Sequence, residues 1–113
     1  VLTAPPFVQE AVRYLSRHFA DPITQERLAE QLSVSQYHLQ RSFKASIGLS
    51  PAEYLSVLRI NHAKELLRSS NLSVSEVALR VGMDPNYFIQ LFRKNRRRWH
   101  GGPPERSADG GIR

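Results

Sequence analysis

The sequence repeats itself at an interval of 49 residues, and this repeat constrains the fold more than any other feature. Each copy combines apolar positions with one small residue and one good helix N-cap. The matched pairs are Leu28/Val77, Ala29/Ala78, Ser33/Gly82, Ser35/Asp84, Leu39/Phe88 and Phe43/Phe92. In each copy the spacing predicts a helix, a short turn around the small residue and a second helix. That order is typical of a helix-turn-helix unit, in which a small alanine lies where the two helices cross.

Five helix starts after the first helix follow one pattern. Five polar residues that make good N-caps each stand between two apolar residues placed as a hydrophobic staple. These caps are Thr24, Ser35, Ser50, Ser73 and Asp84. Glu53 and Glu76 follow two of them by three residues, as in a capping box. Since no segment alternates apolar and polar residues with a period of two, we predict an all-α fold.

The helix pattern also predicts how the chain is organised. We expect residues 1–6 to end a linker, 7–50 to form a first helix-turn-helix subdomain and 70–95 a second one. Between them, residues 51–69 are expected to form one long linker helix of roughly 28 Å. Its apolar residues lie on more than one side, which favours packing on two sides. Residues 96–113 are predicted to be a disordered basic tail.

Charge alone gives weak support for nucleic-acid binding. The net charge is +6, but residues 93–113 hold seven Lys and Arg against two Asp and Glu, while the rest of the chain is nearly balanced. A basic excess confined to the tail says little about the folded part. Whether the folded part binds nucleic acid must therefore be judged from the chemistry of individual side chains.

The second helix of copy one carries a polar stripe opposite its anchors Leu39 and Phe43. The stripe consists of Gln36, Tyr37, Gln40, Arg41 and Lys44. Glutamine can pair with adenine and arginine with guanine, tyrosine can contact a thymine methyl group, and lysine suits phosphate. An ordinary solvated helix face is the alternative interpretation. The absence of any acidic residue across this stretch favours recognition of nucleic acid.

The matching stripe of copy two is less polar. It consists of Pro85, Asn86, Ile89, Gln90 and Arg93, so that Ile89 stands where copy one has Gln40. We expect this helix to contact phosphates and one or two bases and to specify less. A mainly structural role for copy two is the alternative.

Other classes of function find little support in the sequence. The four histidines lack ligand-like spacing, the chain has no cysteine, and most serines are accounted for as caps. His38 is expected to pack at the edge of its helix. With no run of about 18 apolar residues, we predict no membrane span. The chain is thus predicted to be a non-enzymatic cytoplasmic protein without a metal or cofactor.

Three motifs together resemble the DNA-binding domain of the AraC/XylS family of bacterial transcription regulators. They are L-A-x-x-x-S-x-S-x-x-H-L-x-R-x-F-K-x-x-x-G-x-S-P over residues 28–51, R-I-x-x-A-x-x-L-L over 59–67, and S-E-V-A-x-x-V-G-M followed by N-Y-F-x-x-L-F-R-K over 75–94. The resemblance covers roughly residues 7–94. It implies two homeodomain-like helix-turn-helix units joined by a long helix, with recognition helices in successive major-groove segments of double-stranded DNA.

Carried over by position, the resemblance implies which side chains touch DNA. The base readers would be Gln36, Tyr37, Gln40 and Arg41 in the first unit, and Asn86 and Gln90 in the second. Phosphates would be contacted at the helix starts Thr24 and Ser73 and by Lys44, Arg93 and Lys94. We expect RNA polymerase as a further partner, and an effector-binding or receiver domain before Val1.

Two departures from the family pattern concern the second unit. The family usually has one more residue between Gly82 and Asn86, and after Lys94 it continues with a glycine, a Ser/Thr-Pro pair and a closing helix. From this we expect a truncated or frame-altered end and an incomplete second unit. For function, the alternative is a helical module that binds a protein partner such as RNA polymerase. The salt dependence of duplex binding separates the two.

Overall fold

The computed structural model describes residues 4–94, which form six α-helices and no strand. The helices are α1 Pro6–His18, α2 Gln25–Gln31, α3 Gln36–Ile47, α4 Pro51–Ser69, α5 Val74–Arg80 and α6 Pro85–Lys94. The all-α prediction is confirmed. Within residues 4–94, no helix has the length and apolar character needed to cross a membrane. The predicted disordered tail 96–113 and the expected altered end after Lys94 lie outside the described residues.

The chain divides into two compact units between Leu58 and Arg59, inside α4. We call the part before this point unit 1 and the part after it unit 2. In unit 1, α1 and α2 both pack against α3. Its fully or nearly fully buried core consists of Val8, Ala11, Leu15, Leu28, Ala29, Leu39, Phe43 and Leu55. Helices α1, α2 and α3 and the first part of α4 thus share one apolar centre, which includes both anchors of α3.

Unit 2 has a core of its own, built mainly by α5 and α6, which pack on each other. Its buried residues are Ala63, Val74, Val77, Ala78, Val81, Met83, Phe88 and Phe92. The rings of Phe88 and Phe92 stack with centroids 6.2 Å apart. Both apolar anchors of the repeat are therefore buried in each copy, as the matched spacing predicts.

All five predicted N-caps form. The side chains of Thr24, Ser35, Ser50 and Ser73 each accept a hydrogen bond from the backbone N–H three residues on, at 3.1 Å. The Asp84 carboxylate accepts in the same way at 3.0 Å. Glu53 and Glu76 return a hydrogen bond by accepting from the backbone N–H of their cap residues, at 2.9 and 2.8 Å. Both predicted capping boxes are thus confirmed.

The turn between the paired helices has the same hydrogen bonds in both copies. In copy one the N–H of Ser33 donates to the Glu30 carbonyl at 3.1 Å, and the N–H of Val34 donates to the Ala29 carbonyl at 3.0 Å. The matched residues 49 positions later repeat this pair at 3.2 and 2.9 Å. This is a Schellman motif, whose central residue adopts a left-handed backbone. Ser33 has φ of +59° and Gly82 has φ of +82°.

Replacing Gly82 with alanine should lower the free energy of unfolding by about 1–2 kcal/mol, because a Cβ is unfavourable in the left-handed region. Ser33→Ala is the matched control, since that position already carries a Cβ at positive φ. We expect it to change stability by no more than about 0.5 kcal/mol. Chemical denaturation followed by circular dichroism measures both. Equal losses in the two variants would contradict this account of the turn.

Candidate nucleic-acid interface

Helix α3 buries one side and leaves the other to solvent. Leu39 and Phe43 are completely buried. On the opposite side, four of the predicted contact residues are exposed, namely Gln36, Tyr37, Arg41 and Lys44. Gln40 differs from them because it is half-buried. The structure therefore brings four of the five predicted residues to one open surface and places Gln40 at its margin.

Tyr37 and Arg41 contact each other on this surface. The Arg41 Nη1 donates a hydrogen bond to the Tyr37 hydroxyl oxygen at 2.6 Å, and its Cζ lies 5.4 Å from the centre of the tyrosine ring. The two residues are four apart, the spacing that stacks side chains on one side of a helix. Sequence reasoning assigned each of them a separate contact and did not predict that they pair.

A shallow groove of about 340 Å³ lies beside this pair, lined by Tyr37, His38, Arg41, Ser42 and Ala45. The His38 ring stacks on Phe7 of α1, with centroids 4.9 Å apart. This contact fits the prediction that His38 packs at the edge of its helix. No group of three or more His, Asp or Glu within residues 4–94 is placed to hold a metal ion.

Lys44 lies at the other end of the exposed surface and is paired with an acid. Its Nζ is 3.6 Å from Oε1 of Glu53, and both side chains are more than half exposed. The pKa of Glu53 is held below its usual range, first by the hydrogen bond from the Ser50 backbone N–H and then by the Lys44 charge. Glu53 was predicted only as part of a capping box. Its second role depends on how α3 and α4 pack, which the sequence pattern does not reveal.

Helix α6 presents a smaller polar surface. Its exposed predicted residues are Asn86, Gln90, Arg93 and Lys94, whereas Ile89 is half-buried. Tyr87 is also 56% exposed, and sequence reasoning missed it. Tyr87 matches His38 of copy one in the repeat, a position at which packing was predicted, so the repeat gave no signal for its exposure. In the described structure His38 is stacked on Phe7.

Helices α3 and α6 also start differently. α3 begins at the neutral Ser35, while α6 begins at Asp84, whose exposed carboxylate caps the helix. A carboxylate at a helix start offsets the positive end of the helix dipole and repels phosphate. The start of α3 is therefore the more favourable of the two for an anionic backbone.

Thr24 and Ser73, the predicted phosphate-contacting helix starts, both use their hydroxyl oxygen to cap a helix. Their hydroxyl hydrogens can still donate to another acceptor. Thr24 is exposed and Ser73 is half-buried. Next to Ser73 stands the Glu76 carboxylate, whose pKa is lowered mainly by the Ser73 backbone N–H. Both helix starts carry an acid in the first turn, Glu26 in α2 and Glu76 in α5, so the greater exposure of Thr24 is what distinguishes them.

Comparison with known proteins adds independent findings. A family described as a helix-turn-helix domain matches residues 28–106. The transcriptional activator RhaS of Salmonella schwarzengrund is 42% identical over 88 residues, which cover 77% of this chain and 32% of that protein. This chain thus spans about a third of the length of the curated relatives it matches.

Two solved structures illustrate the similarity of the fold. The C-terminal domain of AraT, a response regulator from Geobacillus stearothermophilus, gives a TM-score of 0.80 at 33% identity, covering 99% of this chain and 91% of that one. The DNA-binding domain of the transcriptional factor AdpA, solved in complex with a target DNA, gives 0.74 at 28% identity, covering 90% of this chain and 94% of that one.

Proposed function

The chain belongs to the AraC/XylS family of helix-turn-helix transcription regulators, and on that premise we propose that it binds specific sites on double-stranded DNA. One observation carries the proposal more than any other. The outer side of α3 exposes an amide, a phenol and a guanidinium and has no acid, while Leu39 and Phe43 fix its inner side in the core. This surface has the donors and acceptors that read base edges in the major groove.

We assign base reading chiefly to α3. Arg41 supplies a guanidinium for a guanine, Gln36 an amide for an adenine, and Gln40 an amide at the margin of the surface. The Tyr37 ring suits a thymine methyl group. In α6 we propose only two base readers, Asn86 and Gln90, which are fewer than in α3. This part of the proposal rests on the exposure and the chemistry of these side chains.

Phosphate contacts are assigned to the cations and helix starts around these surfaces. The proposed groups are Thr24, Lys44, Ser73, Arg93 and Lys94. The exposure of Thr24 supports it better than the half-buried Ser73. Such contacts fix the register of a protein on DNA without carrying sequence information.

The 88 matched residues cover only 32% of RhaS, so the relative is much longer than this chain. We propose that it is the DNA-binding part of a longer regulator, with an effector-binding or receiver domain and RNA polymerase as further partners. RhaS is named an activator, and activation is the proposed outcome here too. Since the proposed target is chromosomal DNA, the proposed place of action is the bacterial cytoplasm.

The test is selection of a binding site from random duplexes, followed by titration of the enriched duplex at several salt concentrations. DNA binding through several phosphates predicts that log K falls linearly with log salt, with a slope of several units. No binding to any duplex at low salt would favour the alternative, a helical module that binds a protein partner.

Lys44→Ala should weaken binding to all duplexes by a similar factor and reduce the salt slope by about one, because one phosphate contact is lost. The loss of affinity should be smaller than for an unpaired lysine, because Glu53 lies 3.6 Å from the Lys44 amine and already offsets part of its charge. Titration of the enriched duplex and of an unrelated one measures it. Arg13→Ala removes the same charge from α1 and serves as the control. A change in base preference would contradict the phosphate role.

A further inference from the structure

We propose that the Tyr37 hydroxyl is a positioning group for Arg41, which holds the guanidinium on the outer side of α3 before DNA arrives. This inference rests on the proposed function, because it takes α3 as the base-reading helix. It adds a role for Tyr37 besides any contact of its ring with a base. Arg41 remains the residue that touches the base pair.

The geometry of the pair restricts an otherwise mobile side chain. Arg41 is exposed and Tyr37 is 68% exposed, so neither is fixed by burial. The 2.6 Å hydrogen bond and the 5.4 Å contact with the ring hold the guanidinium at two points. Ordering a long side chain at an interface costs affinity. A side chain ordered before binding avoids part of that cost.

The hydrogen bond leaves enough donors for base reading. A guanidinium has five N–H groups, of which one is given to the Tyr37 hydroxyl. Bidentate pairing with the O6 and N7 of guanine needs two more. The same side chain can therefore keep its contact with Tyr37 while it reads a base.

The neutral partner distinguishes Arg41 from other arginines of this chain. Arg13 and Arg68 pair with the carboxylates of Glu10 and Glu65. A carboxylate would neutralise the charge that DNA attracts and would have to be displaced from the surface. A phenol orients Arg41 and leaves its positive charge available to the major groove, where guanine presents only acceptors.

The test is Tyr37→Phe, which removes the hydroxyl and keeps the ring. On the duplex that the unaltered chain enriches from a random pool, we expect about 2- to 10-fold weaker binding. The loss should concentrate at the base pair that Arg41→Ala relaxes. In the Arg41→Ala background, Tyr37→Phe should have no further effect at that base pair. Tyr14→Phe, which removes a hydroxyl from α1, is the matched control.

Two results would overturn the proposal and leave the proposed function intact. One is an unchanged base preference in Tyr37→Phe while Arg41→Ala relaxes it. The other is an equal loss from Tyr37→Phe with and without Arg41, which would show independent contacts. If the unaltered chain prefers no duplex over another, the proposed function itself fails and this inference fails with it. Unchanged circular dichroism and unfolding of Tyr37→Phe separate positioning from folding.

Discussion

Replacing Arg41 with alanine should weaken binding to the enriched duplex by about 1–3 kcal/mol, roughly 5- to 150-fold, and relax preference at a single base pair. The reason is the bidentate geometry: only a base with two acceptors on its major-groove edge matches the guanidinium fork. Fluorescence anisotropy against the enriched duplex and its single-base variants measures both parts of the expectation. The affinity for duplexes already mismatched at that position should change far less.

Two matched variants make this test specific. Arg13→Ala removes a guanidinium that pairs with Glu10 on α1, and it should leave base preference unchanged. Gln90→Ala removes a proposed reader from α6, and we expect a smaller effect than from Arg41→Ala. If Arg41→Ala weakened all duplexes by the same factor, the residue would be contacting phosphate, and its assignment as a base reader would be wrong.

The expected difference between the two helices has a physical basis in the repeat. At the position where α3 has Gln40, α6 has the half-buried Ile89, which can donate no hydrogen bond to a base. At the helix start, Ser35 is replaced by the carboxylate of Asp84. Both changes reduce what α6 can offer to DNA, although its anchors Phe88 and Phe92 are as well buried as those of α3. We therefore expect the two copies, which share a fold, to differ in how strongly they specify a DNA sequence.

Helix starts were predictable because capping is local. An N-cap side chain and the N–H it accepts from are three residues apart, so the sequence order alone places them together. All five predicted caps are found, and the turn hydrogen bonds repeat at the predicted interval. The burial of the anchors was predictable for the same reason, since helical periodicity puts Leu39 and Phe43 on one side of α3.

Contacts between side chains on the surface were less accessible to sequence reasoning. The pairing of Tyr37 with Arg41 depends on which rotamers two exposed side chains adopt, and spacing permits the contact without requiring it. The Lys44–Glu53 pair depends on the packing of α3 and α4. The partial burial of Gln40 likewise depends on neighbours that helical periodicity does not show. These three details modify the candidate site without moving it from α3.

The largest effects on stability are expected from the buried aromatic anchors. Phe43→Ala and Phe88→Ala should each lower the free energy of unfolding by about 3–5 kcal/mol, through lost burial and the cavity left behind. Both rings are completely buried, and Phe43 also packs edge-on against Tyr54 with centroids 5.6 Å apart. A loss of this size is a large fraction of the stability of a native protein, about 5–15 kcal/mol. Chemical denaturation followed by circular dichroism measures it, with Phe43→Leu and Phe88→Leu as milder controls.

Because the units divide inside α4, the two variants should affect DNA binding differently. Phe43→Ala removes the support of α3 and should abolish base preference along with most affinity. Phe88→Ala removes the support of α6 and should lower affinity while the preference set by α3 persists. Selection from random duplexes with each variant tests this directly. Equal loss of preference in both would mean that selectivity requires both helices, and the assignment of specificity chiefly to α3 would then be wrong.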